Sequence, residues 1–147
     1  MEVRNENSGT VKQLNSFLRG ELSAVETYRR AMKKLTGFSM LGTLEQCSRS
    51  HLGRADILAG EIRRRGGTPS KESGPWGAFA KLLEDGAALF GEKAIIAVLK
   101  EGEDHGRDDY RRDLPDLDPE ARQVVRSQIL PEQLRTHRAM SELQKLH

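Results

Sequence analysis

One pattern occurs twice in this chain. Gly20-Glu21 is followed, seven residues after the Glu, by Tyr28-Arg29-Arg30, and Gly102-Glu103 at the same spacing by Tyr110-Arg111-Arg112. A second echo lies downstream of each copy, Arg49-Ser50-His51 and Arg135-Thr136-His137. Two repeats, each giving one Glu from a first helix and one His from a second, suit a pseudo-two-fold four-helix bundle with a polar core.

The spacing of apolar residues bears this out along the chain. Leu14, Leu18, Glu21, Val25, Tyr28, Met32 and Leu35 step by four and three, a helical seam with a carboxylate in a core slot. Gly37 ends that helix and Ser39 is placed to cap the next. The second helix repeats the rhythm with Leu41, Leu44, Ser48, His51, Ala55, Leu58 and Ile62, and stops at Gly66-Gly67 before Pro69. A helix running unbroken from Pro75 to Asp113 would be about 58 Å long against about 40 Å for the first. The mismatch predicts a break at Gly91. Residues 68–91 then form a long, partly helical connection, with Phe79, Leu82, Leu83, Leu89 and Phe90 buried and Trp76 anchoring it. Helix three proper carries Ile96, Leu99, Glu103, Gly106, Tyr110 and Leu114. Asp118-Pro119-Glu120 signals the start of helix four. That helix carries Val124, Val125, Ile129, Leu130, Leu134, His137, Met140 and Leu143, and Pro131 should kink it.

The expected domain spans residues 9–147, with residues 1–8 a polar, frayed N-terminal tail. A chain of 147 residues that is 31% charged but only +2 in net charge has mixed, solvated helix faces, which does not mark a nucleic-acid binder. No apolar run is long enough for a bilayer, so no membrane partner is expected. Cys47 stands alone, which suits a reducing cytoplasm. The surface carries no recognisable assembly signal, and a homo-oligomer stays open.

Glu21 and Glu103 interrupt apolar rows, and an unpaired buried carboxylate costs several kcal/mol. Each needs a cation, a proton or hydrogen bonds. His51 and His137 are natural partners, so Glu21, His51, Glu103 and His137 are the candidate ligands of an iron, manganese or zinc ion. Tyr28 and Tyr110, one heptad from each Glu, could orient the ligands, with Cys47, Ser48 and His105 nearby. The matched glycines Gly20 and Gly102 suggest close backbone approach. Register separates the two halves. Glu21 and His51 lie at similar distances from the turn at Gly37, whereas Glu103 and His137 are offset by about 12 Å, which only a bulge or break near Pro131 could remove.

The strings Leu18-Arg19-Gly20-Glu21-Leu22-Ser23-Ala24-Val25-Glu26-Thr27-Tyr28, Trp76-Gly77-Ala78-Phe79-Ala80-Lys81-Leu82 and Glu101-Gly102-Glu103-Asp104-His105-Gly106 resemble an uncharacterised bacterial family of ferritin-like four-helix-bundle proteins, a domain of unknown function. The resemblance covers about residues 10–146. It implies an all-α, ferritin-like fold and a cytoplasmic bacterial setting, and it does not imply an activity. Di-iron ferritin-like proteins place a Glu on helices one and three and Glu-x-x-His on helices two and four. Glu21, His51, Glu103 and His137 match the terminal positions. The metal-bridging positions fall on Ser48 and Leu134, neither of which can bridge two metals. Three readings follow. One is a cytoplasmic protein handling iron or another transition metal. Another is a metal-free helical scaffold or interaction protein with a polar core layer. The third is a redox enzyme using such a metal.

Overall fold

The computed structural model describes residues 2–35, 37–73 and 91–147, and every regular element among them is helical. Helix α1 spans Glu2–Lys34, α2 Phe38–Arg64 and α3 Glu92–Asp113. A 3₁₀ turn, Leu114–Asp116, leads into a fourth helical arm made of α4 (Pro119–Val124), a π turn (Val125–Ile129) and α5 (Leu130–Leu146).

The punctuation follows the residues. Gly66 takes φ +79°, and the Gly67 N–H returns to the Ile62 carbonyl at 2.9 Å, closing α2 in a left-handed cap. Gly91, with φ +73°, precedes α3, which starts at Glu92. Asp118 caps α4 by accepting the Ala121 N–H at 2.8 Å, with Pro119 in the first turn. The cap expected of Ser39 is absent. Gly37 holds the N-cap position in extended backbone, and Ser39 lies inside α2.

Helix α1 begins at Glu2, within the stretch expected to fray. Asn7 donates to the Arg65 carbonyl at 3.2 Å and accepts from Arg65 Nη1 at 3.3 Å, which ties this part of α1 to the end of α2. The proposed helix within 68–91, with Pro75, Trp76, Phe79, Leu82, Leu83, Leu89 and Phe90, lies outside the described residues.

Packing divides the core in two. One apolar cluster joins Leu35, Met40, Leu44, Ile96, Leu99 and Met140; the other joins Leu14, Phe17, Leu58, Ile62, Val125 and Ile129. Helices α1 and α2 are antiparallel, as are α3 and α5. Between the two clusters lies a layer of buried polar side chains.

Candidate functional site

Each of the four helices sends polar groups into this layer. Glu21 and Tyr28 come from α1, His51 and Arg54 from α2, Glu103 and Tyr110 from α3, Gln133 and Thr136 from α5. Glu21, His51, Arg54 and Glu103 are 4, 3, 1 and 2% exposed, so all four ionisable groups are out of water.

His51 is the hub. Its Nδ1 lies 2.7 Å from Glu21 Oε2 and its Nε2 2.6 Å from Glu103 Oε2. One imidazole can donate to both carboxylates only as the cation. Burial pulls the His51 pKa down. The Glu103 carboxylate pushes it up, Arg54 opposes that, Glu21 supports it, and the balance lies above the ordinary value. Burial likewise works to raise the Glu103 carboxyl, but the His51 charge and hydrogen bond, then Arg54, hold it at about 2. Glu21 is also lowered, with burial overcome first by Arg54 and then by His51.

Arg54 completes the balance. Its Nη1 donates to Gln133 Oε1 at 2.5 Å, its Nη2 to Thr136 Oγ1 at 3.1 Å and its Nε to the Ser50 carbonyl at 3.3 Å. Nε also lies 3.4 Å from Glu21 Oε2, and Nη2 lies 2.8 Å from His51 Nδ1. Gln133 and Thr136 pass this charge on, since Gln133 Nε2 reaches Glu103 Oε1 at 3.2 Å and Thr136 Oγ1 reaches it at 2.6 Å. Two carboxylates are thus matched by one imidazolium and one guanidinium.

The tyrosines bind crosswise. Tyr28 of α1 donates to Glu103 Oε2 and Tyr110 of α3 to Glu21 Oε1, both at 2.8 Å. Because α1 and α3 run antiparallel, each tyrosine meets the glutamate of the other helix. Its own glutamate, seven residues away, is about 10 Å along the axis. Burial, then the facing carboxylate, pushes both phenols well above their usual pKa, so they remain donors.

Of the four sequence-derived ligands, the structure brings together Glu21, His51 and Glu103. His137 is elsewhere. It is half-buried on the α3–α5 flank, with Nε2 2.6 Å from Asp104 Oδ1 and 3.1 Å from Arg107 Nη1. The bulge that could have aligned it exists as the π turn before Pro131. Proline lacks the N–H for a regular helical bond and crowds the preceding turn, which favours such a widening. The turn presents Gln133 and Thr136, not His137, to Glu103.

The remaining candidates are peripheral. Cys47 is buried one turn before His51, and burial, with Glu103 adding to it, pushes its thiol up to about 11. A protonated thiol is a poor metal ligand. Ser48 is half-buried and His105 exposed. Close backbone approach occurs at neither Gly20 nor Gly102, where an added Cβ would meet nothing within 4 Å. It occurs at Gly106, where a Cβ would lie 2.8 Å from Gln133 Nε2.

Sequence reasoning missed Arg54, Gln133 and Thr136. Arg54 carried a faint signal, three residues after His51 and beside the buried Ala55. The row Ile129, Gln133, Thr136, Met140, Leu143 steps by four and three, so the α5 face was legible to a reader who allowed polar residues in it.

A cleft of about 80 Å³ between α1 and α3 opens onto this layer, walled by Gly20, Ser23, Ala24, Gly102 and Gly106 and floored by Glu21, His51 and Glu103. With Arg54 in place, the donor set does not fit a metal centre. Every polar atom of His51 and Glu103 is committed to a partner, and a fixed guanidinium stands where a second cation would have to enter. Among the described residues no group of three or more His, Cys, Asp or Glu side chains is arranged to hold an ion. No described helix is long and apolar enough to cross a membrane.

No curated protein and no solved structure matches the chain. A family model does match, over residues 9–115, and the chain accordingly belongs to the family described as Domain of unknown function (DUF2383).

Proposed function

We propose that this is a metal-independent helical-bundle scaffold or interaction domain of the cytoplasm, in which the buried Glu–His–Arg layer fixes helix register. Arg54 is the observation that carries this reading. A permanent cation sealed among Glu21, His51, Gln133 and Thr136 supplies the positive charge that a metal would otherwise bring. Sliding one helix by a turn, about 5.4 Å, would strand carboxylates in apolar surroundings, which is how a satisfied polar layer selects one register.

The reading includes a ferritin-like topology. Arg65, at the end of α2, pairs with Asp118, whereas the start of α3 packs Ile95 and Ile96 against Leu35 and Met40 at the other end of the bundle. A chain that leaves at one end and re-enters at the other supports one long second-to-third crossover.

Metal handling through Glu21, His51 and Glu103 is the competing reading, favoured by three donors meeting in one layer beneath a cleft. Elemental analysis decides between them. Protein purified without a chelating column and reconstituted with ferrous, manganous or zinc ions should retain less than about 0.2 metal per chain. Retention of about one ion, abolished by His51→Gln, would establish the metal reading instead.

A further inference from the structure

We propose that Arg54 occupies a latent divalent-cation site and is the residue that keeps it closed. The inference rests on the metal-independent reading above and goes one step beyond it. Four side-chain heteroatoms surround the guanidinium: Glu21 Oε2 at 3.4 Å, Gln133 Oε1 at 2.5 Å, His51 Nδ1 at 2.8 Å and Thr136 Oγ1 at 3.1 Å. A carboxylate oxygen, an amide oxygen, an imidazole nitrogen and a hydroxyl are all ligands of first-row divalent metals. They come from three helices, so the packing that now holds Arg54 already gathers them.

The second carboxylate is placed to support such an ion without touching it. Glu103 faces His51 Nε2 at 2.6 Å, on the ring edge opposite Nδ1. A metal on Nδ1 would therefore have its imidazole oriented by a carboxylate through the other nitrogen, an arrangement that strengthens histidine ligands. Charge bookkeeping agrees. An incoming divalent ion would replace the guanidinium charge and the one proton displaced from Nδ1, so the layer stays neutral. With Arg54 in place only the proton can leave, and the ion would add uncompensated charge in a buried site. The mixed nitrogen and oxygen set suits zinc or cobalt better than magnesium or calcium.

The test compares wild type, Arg54→Ala, Arg54→Gln, Arg54→Lys and the double variant Arg54→Ala/His51→Gln, each incubated with Co²⁺ or Zn²⁺ and dialysed. Arg54→Ala and Arg54→Gln should hold about one ion per chain, visible as a Co²⁺ ligand-field spectrum, and the double variant and Arg54→Lys should hold none. Metal at a hundredfold excess over Kd should raise Tm of Arg54→Ala by about 5–10 °C and leave wild type unchanged. If Arg54→Ala fails to fold alone, the same ions should restore its cooperative unfolding. Folded Arg54→Gln that takes up no ion, or uptake that survives loss of His51, overturns the proposal. Uptake by the wild type overturns the metal-independent reading instead, so the two failures are distinguishable.

Discussion

The two repeats use the same residues to opposite ends. Glu103, in the second, is saturated: His51 and Tyr28 meet one oxygen, Gln133 and Thr136 the other. Glu21, in the first, meets only Tyr110 among the described residues at one oxygen and shares the other between His51 and Arg54. The matched pair Ser50 and Thr136 diverges likewise. Thr136 donates into the core, whereas Ser50 donates to the half-exposed Glu132 at 3.1 Å. The first half supplies both cations, and the second supplies Tyr110, Gln133 and Thr136 as neutral donors. A near-symmetric sequence thus builds an asymmetric layer, with all the positive charge on α2.

Breaking the layer should expose this asymmetry most strongly at its charges. Glu103→Gln leaves two buried cations against one carboxylate and should cost about 4 kcal/mol in urea unfolding, with Glu21→Gln smaller at about 3. Equal losses would show that the extra bonds to Glu103 contribute nothing.

The pH dependence probes the same charges. Glu103 falls from 4.5 to about 2 on folding, so its contribution is complete above about pH 4.5 and is lost as pH falls toward 2. His51 is raised above 6.5, so its contribution is complete below that value and is lost as pH rises through the folded pKa. Tm should therefore peak between about pH 4.5 and 6.5, and His51→Gln should remove the alkaline decline.

Smaller effects separate the echoed positions. Thr136→Val removes a bond to a buried carboxylate and should cost about 2 kcal/mol, while Ser50→Ala should cost less than about 0.5. His137→Ala should likewise stay below about 1 kcal/mol, because its contact with Asp104 is partly solvated. At the glycines the sign should differ. Gly106→Ala forces Gln133 out of its place between Arg54 and Glu103 and should destabilise by about 1–3 kcal/mol. Gly20→Ala and Gly102→Ala should stabilise by up to about 1 kcal/mol.

How much of this was legible follows from the chemistry of each residue. Glu21, Glu103, His51 and both tyrosines stood out because polar side chains in 4-3 apolar rows have to be buried. Arg54 does not stand out, since an arginine on a helix is ordinarily solvated, and its place three residues after His51 is only a faint signal. His137 lies outside the layer because helix four is not regular. The π turn rotates the face that follows it, so Leu134 and His137 move to the flank while Gln133 and Thr136 turn inward. Crosswise pairing of the tyrosines was hidden for a related reason: it depends on the antiparallel approach of α1 and α3, which local spacing does not encode.

A doubly protonated His51 bridges two carboxylates beside Arg54. Nitrogen-15 spectra of histidine-labelled protein at about pH 6 measure this directly. Both ring nitrogens of His51 should carry protons, each coupled across a hydrogen bond to a carboxylate. A His51 ring with one bare or metal-bound nitrogen at that pH would contradict it.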